Sequence, residues 1–496
     1  MPHKRKARSK GKSKPDLLTQ PELSHLELLR SRALTDRENL VSGLDDETIK
    51  TILDTISHRY TSARETTEDI AEKMLAWDKQ YNAEWQDQEL SDAEPGEKPI
   101  YLPKTRENVQ AIFAYIMMLV SQLDPLIVCQ PMCSSLWASK EEYRRAKVTE
   151  ALVNFHLKDL WKIRDDLFPR WLKNFLKYSL SVVKITYHED HFLPDLRIQL
   201  VDRALLYLDP GAQDLRHSRW IIEEEHLPRS LITQYINDEI WTLPEGEEHW
   251  LEEDHGFEKD DTFKRIYGDN YQQSSGVKED DLIPVWHYWQ APTQGLQDVY
   301  AVILGGDQGT LVRYGRNPYP YKGIPYRGKS FDPHVYHPDG KGMVEQITQI
   351  QELTNNLLNL RITDVRKNII QPIAATGRFI DAQTQEDFKN GHKMVRLADE
   401  VMEASKDPNF DLRKHFVPLP ISPSTQELLV GDLPFILGQM KEVSNISDVF
   451  RGSAPPVQST LGQIQEQLSR NQGFFRPVYL QVMRFFEEIA EICIAY

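Results

Sequence analysis

Apolar and polar residues follow a helical rhythm at both ends of this chain and an alternating one in its middle. Residues 20–90 place apolar side chains at helical spacing (Ile49, Ile52, Leu53, Ile56, then Ile70, Met74, Leu75), which predicts amphipathic helix after the first twenty residues. A Pro-, Gly- and acid-rich loop from Asp92 to Pro99 precedes an apolar helix running from Tyr101 to about Leu123, where Asp124-Pro125 stops it. Two further helices are expected at 139–160 and 164–180. The rhythm then changes: Ser181–Thr186 and Arg197–Val201 read as strands, Trp220–Ile222 as a short strand, and Pro228–Tyr235 as the start of a helix. Residues 244–282 are acidic and loop-like. From Ile283 to Leu311 aromatic and aliphatic residues alternate about a Gly305-Gly306 turn, and 315–340, crowded with Pro, Gly and Tyr, reads as loop.

The last third is helical again. Gly342 to about Ile370 is a long helix, with Val344, Ile347, Ile350, Leu353, Leu357 and Leu360 apolar and asparagines on another face; Pro372 ends it. A small mixed patch follows over 373–420, with strands expected at Ile373–Ile380 and Lys393–Leu397. Thr425–Ser447 is an interrupted helix, Ser447–Ser459 a polar loop, and Thr460–Tyr496 a helix with a kink expected at Pro477, whose ring clashes with the carbonyl four residues earlier. The fold class is therefore α+β, mainly helical.

Composition narrows the functional classes. With 496 residues, 40% hydrophobic and 27% charged, the chain can bury a large core in one multi-part domain or a few smaller ones. The longest apolar run, Ala111–Val120, is about half of a bilayer span, so neither a membrane helix nor a signal peptide is expected. Cys129, Cys133 and Cys493 make no disulfide framework and no zinc pair, which fits folding in a reducing compartment. The net charge of −16 is unevenly placed: Lys4, Arg5, Lys6, Arg8, Lys10, Lys12 and Lys14 form a basic arm without acids on an acidic body. Such an arm is either a solubilising tail or a contact for nucleic acid. An acidic body does not coat DNA, but its walls can surround a moving duplex without sticking to it.

Catalytic constellations are not convincing. Gly323-Ile-Pro-Tyr-Arg-Gly-Lys-Ser330 satisfies the phosphate-loop pattern, but Pro and Tyr on both sides oppose the buried strand and following helix that a phosphate cradle requires, so a proline-rich loop is expected. Asp332, His334, His337 and Asp339 are close in sequence, as in a metal site, yet read as turn formers. His188 and His191 lack zinc-protease spacing. Glu223-Glu224-Glu225 and Glu245–Asp254 read as solvated acidic faces. No catalytic residues, metal or cofactor are assigned, and the chain is expected not to be an enzyme.

From about residue 100 to the end, the order of parts resembles the portal proteins of tailed bacteriophages, of the podovirus type. Tyr101-Leu-Pro-Lys-Thr before an apolar helix and Asp124-Pro-Leu-Ile-Val is similar to the opening of such proteins, as is the helix–strand–strand series 167–201 leading to Tyr207-Leu-Asp-Pro. Tyr336-His-Pro-Asp-Gly-Lys-Gly-Met-Val-Glu-Gln-Ile, continuing through Gln351-Glu-Leu-Thr-Asn-Asn-Leu-Leu, resembles the passage from wing to first stem helix.

Residues 1–19 read as a basic flexible arm from their charge, and the resemblance implies a wing at 20–341 with its β-rich part at about 181–335, and stem helix 1 at 342–370. A clip would follow at 371–421, stem helix 2 at 422–446, a tunnel loop at 447–459 and a kinked wing helix at 460–496. Gly431, Pro434 and Gly438 depart from a continuous second stem helix, with Asp432 able to cap a fresh one. The end at Tyr496 leaves a C-terminal crown or barrel short, absent or not included. The family implies a dodecameric ring around double-stranded DNA, serving genome packaging and exit in the virion, with the major capsid protein, a terminase motor and tail adaptors as partners, and no membrane. Arg451, and less strongly Lys441, Arg366 and Lys367, would face the channel; Lys389, His392 and Lys393 would meet motor or adaptor. The alternatives are a packaging ATPase using the Gly323–Ser330 loop and a scaffold or coat component.

Overall fold

The computed structural model describes residues 39–85, 99–131, 139–189, 194–244, 261–268, 281–292, 298–306, 309–319, 321, 323–369, 373–375, 416–418, 434–440, 443 and 461–495. Three long helices open it: α1 (Asp46–Asn82), α2 (Lys104–Ser121) and α3 (Lys140–Phe155). Asp45 caps α1 by accepting from the Thr48 amide, and acids in the first turn favour the positive end of the helix dipole. Ser139 and Glu142 form a reciprocal capping box on α3. The helices expected at 139–160 and 164–180 differ from the prediction in one respect. Two π-helical turns, His156–Leu160 and Ile163–Leu167, separate α3 from α4 (Phe168–Tyr178), with Lys162 left-handed between them.

The middle of the chain builds β1 (Ser181–Glu189), β2 (Pro194–Val201), β3 (Leu206–Leu208), β4 (Trp220–Pro228), the short helices α5 (Arg229–Asn237) and α6 (Asp261–Tyr267), then β5 (Leu282–Gln290), β6 (Val299–Leu304), β7 (Thr310–Gly315) and β8 (Tyr326–Lys329). β2, β1 and β8 form a three-stranded antiparallel sheet with β1 central. β3 to β7 form a five-stranded antiparallel meander in chain order. The strand expected at Trp220–Ile222 thus runs six residues further, through Glu223–Glu225, and the predicted loop at 315–340 contains β8. Asn39 blunts the β7 edge, donating to Val312 O and accepting from Tyr314 N.

The C-terminal part consists of α7 (Met343–Ile369), β9 (Ile373–Ala375), β10 (Phe416–Pro418), α8 (434–440) and α9 (Leu461–Ala495), which contains Pro477. β9 and β10 pair antiparallel. Residues 434–440 are helical, with Pro434 among them; Asp432, the predicted cap, lies outside the described residues. The strand expected at Lys393–Leu397 lies outside the described residues. Helix predominates, and neither larger sheet closes into a barrel among the described residues. No described helix is long and apolar enough to cross a membrane.

Alternation along the strands creates three stacked cores. Leu40, Val41 and the first half of α1 (Ile52, Ile56, Ala63) cover one face of the meander, meeting Ile222, Trp286 and Ala301. The opposite face, with Ile221, Val285, Trp289 and Val302, packs on Val182 of β1 and Tyr326 of β8. The other face of β1, Val183 and Ile185, belongs to a helical core made by α2, α4, α7 and α9. In that core Trp171 stacks on Phe485 with ring centroids 3.9 Å apart, and Phe168 meets Phe486 at 5.0 Å.

Candidate functional site

The polar residues of α7 are its most informative feature. Gln351, Thr354 and Asn355 are buried, where an amide needs partners. Gln351 Oε1 accepts from the Thr105 amide at 3.0 Å, and its Nε2 donates to Leu102 O at 2.6 Å. Asn355 Oδ1 accepts from Leu102 N at 3.1 Å, and Asn359 exchanges two bonds with the backbone of Ile100, at 2.8 and 3.0 Å. Gln80 of α1 joins through Thr105 Oγ1 at 2.9 Å. Residues four apart lie on one helix face, so Gln351, Asn355 and Asn359 form a ladder that grips the extended segment 100–105. Residues 101–105 and 351–358, both singled out in the sequence, are thus in direct contact. From Asn356 to Ile362 no side chain of α7 is fully buried, and Leu360 is 58% exposed.

Immediately before α7, residues 332–341 form a closed loop. Asp332 and Lys341 make an antiparallel bridge, Ser330 Oγ donates to Pro338 O, and Gln346 reaches back to Asp332. Arg203, almost wholly buried, holds Asp339 through two bonds of 2.7 Å. Gly340 and Gly342 lie so close to the carbonyls of Asp332 and Lys177 that a Cβ would collide with backbone at either position. Asp332 and Asp339 thus accept hydrogen bonds from Gln346 and Arg203. The rings of His334 and His337 stack at 5.0 Å. The loop walls a cleft of about 730 Å³ against α1, and no cluster of metal-ligating side chains occurs among the described residues.

The phosphate-loop pattern at 323–330 is not a cradle. Tyr326–Lys329 is a strand paired with Ser181–Lys184, and no helix begins at Lys329. Arg327 is buried and donates to the carbonyls of Ile324 and Tyr326. Lys329 Nζ bonds Glu488 of α9 at 2.5 Å, so the cation expected to meet phosphate joins strand to helix.

One acidic run is not the solvated face its sequence predicts. Glu223 and Glu225 point between the two sheets with Lys184, whose Nζ lies 2.5 Å from Glu223 and 3.3 Å from Glu225. Tyr326 donates to Glu223 at 2.5 Å, while His287 lies 3.3 Å from Glu225 and 2.9 Å from the Tyr300 hydroxyl. Burial opposes the charge on Lys184, but the surrounding carboxylates outweigh it and raise its pKa well above the ordinary lysine value. Burial likewise opposes ionisation of half-buried Glu225; Lys184 and His287 overcome this and hold its carboxyl well below the usual range. The period-two pattern alone places residues 221, 223 and 225 on one face, and was the available signal for an inward orientation.

Most of the channel and partner residues predicted from the sequence fall outside the described part of the chain. Lys4, Arg5, Lys6, Arg8, Lys10, Lys12, Lys14, Lys389, His392, Lys393, Lys441 and Arg451 lie outside the described residues, as do His191 and residues 245–260. Arg366 and Lys367 fall in the last turns of α7, where only the backbone is described. His188 is in β1.

No protein-family model matches the chain, and no curated protein matches its sequence. A solved structure, the virion of a native gene transfer agent (GTA) particle, contains a chain similar to this one at 12% identity, over 79% of this chain and 81% of that one, with a TM-score of 0.27. Similarity that low carries no argument about function.

Proposed function

We propose that this chain is the subunit of a portal, a ring forming the DNA channel at one capsid vertex, and that it acts as a conduit without catalytic activity of its own. The observation that supports this reading most is the pairing of β9 with β10. It brings together the chain on either side of residues 376–415, between a helix that leaves the core and later helices, the last of which packs in it. Stem, clip, stem and returning wing helix call for that order. The ladder at Gln351, Asn355 and Asn359 gives the outgoing helix a fixed root.

In this reading double-stranded DNA passes through the ring, a terminase motor and tail adaptors dock at the 376–415 side, and the major capsid protein surrounds the wing. Arg451, repeated once per subunit, would set a ring of positive charge at the bore. Negative-stain microscopy of the purified protein tests the proposal: rings with a central hole, dodecameric if the family resemblance holds, are expected, and a protein that forms none under assembly conditions overturns it. Arg451→Glu should reduce DNA packaging while leaving rings intact; unchanged packaging removes that residue's role.

A further inference from the structure

Ser179, between α4 and β1, is wholly buried and has φ 75° and ψ −77°. The Leu180 amide donates to Tyr178 O at 3.2 Å, which closes a three-residue γ-turn of the rare hand. That turn is strained for any residue with a Cβ. Three other described non-glycine residues have positive φ (Ala83, Lys162 and Glu239), and none of them is buried.

Strain of this kind persists only where the surroundings over-determine it, and here three sides do. On the α4 side, Tyr178 donates to both oxygens of Asp78 of α1, at 2.5 and 2.6 Å, and Lys177 joins the same carboxylate. On the β1 side, Ser181 O accepts from Trp171 Nε1 at 3.0 Å, and β1 is paired along both edges. The third side is the passage 331–342, which leads into α7. Phe331 N donates to Ser179 Oγ at 3.2 Å; a Cβ on Gly340 would press on that oxygen, and one on Gly342 on the Ser179 nitrogen. The first two sides belong to the packed body. The third lies at the surface, with residues 332–337 and Lys341 exposed.

We infer that Ser179 is a loaded joint: the seated passage 331–342 holds it at positive φ, and the turn relaxes when that passage lifts. Moving Ser179 to negative φ between two held flanks rotates the peptides beside it and swings Oγ away from Phe331 N. Gly340 and Gly342, seated against Oγ and N, block both movements, so the relaxed turn and the seated passage exclude each other. The strain released on lifting offsets part of its cost, and reseating restores it. The same passage walls the cleft against α1, so lifting it opens that cleft, while the Gln351 ladder keeps α7 rooted. The joint belongs to the single chain and acts whether or not that chain forms a ring.

The test compares Ser179→Ala with Ser179→Gly in the full chain. Both lose the hydroxyl and with it the bond from Phe331; only alanine keeps the Cβ that opposes positive φ. Hydrogen-exchange mass spectrometry should show peptides covering 331–342 exchanging at least about fivefold more slowly in Ser179→Gly, where lifting the passage releases no strain. Equal rates overturn the inference, even if Ser179→Gly melts higher, since the strain would then be unconnected to the passage. Faster exchange in Ser179→Gly, the ordinary loosening by glycine, overturns it as well. Should Ser179→Ala not fold, the wild type takes its place. Ser179→Gly must then still slow exchange across 331–342 although it gives up the Phe331 bond, and no slowing overturns the inference.

Discussion

Gln351 and Thr105 stand 246 positions apart in the chain, yet the Gln351 side chain accepts from both the amide and the hydroxyl of Thr105, at 3.0 and 3.2 Å. That contact fixes where the long helix α7 leaves the helical core.

Gln351→Ala should destabilise the protein by about 2–3 kcal/mol, since the buried Thr105 amide loses its acceptor. Asn359→Ala, one rung further out, should cost under about 1 kcal/mol, because water replaces its bonds to the exposed backbone of Ile100. Urea unfolding of both variants checks the gradient; equal losses would contradict a ladder that is buried at one end and wet at the other.

The ion cluster between the sheets should behave as a unit. Lys184→Met leaves carboxylates buried without a counter-charge and should cost about 3–5 kcal/mol, most of it recovered when Glu223→Gln and Glu225→Gln are added. The pH dependence has a definite sign. Glu225 titrates lower in the folded protein than in the unfolded chain, so its contribution is present above the unfolded carboxylate pKa and is lost as pH falls toward the folded one. Stability should therefore decline on acidification below about pH 5, and less steeply in Glu225→Gln; parallel pH profiles of denaturation midpoint would refute this.

Lys329→Ala tests the phosphate-loop alternative. With its ammonium committed to Glu488, the substitution should lower stability by about 2 kcal/mol and change no nucleotide turnover. ATP hydrolysis by the wild type that disappears in this variant would replace the conduit with a motor.

Gly342→Ala should place a methyl group against the Lys177 carbonyl, costing about 2 kcal/mol or more and displacing the 332–341 loop. Calorimetry measures the first effect, and protease sensitivity within 332–341 measures the second.

Periodic segments were legible in the sequence: the predicted helices 101–123 and 342–370 are Lys104–Ser121 and Met343–Ile369, and the Gly305-Gly306 turn joins β6 to β7. What escaped depends on distant partners. Three consecutive glutamates look solvated until Lys184, some forty residues earlier, faces two of them across a sheet interface. β8 hides among prolines and tyrosines because its strand character is imposed by β1, whose edge it completes. The Asn/Gln face of α7 was visible as a pattern, but its partner, a short extended segment ahead of α2, was not.

β1 contributes Val182 and Lys184 to the interior between the sheets and Val183 and Ile185 to the helical core. A strand with both faces engaged cannot loosen toward one side alone. The helices that root α7 and the sheet interface next to the meander therefore share β1, which gives a force on the outgoing helix a packed route into the meander.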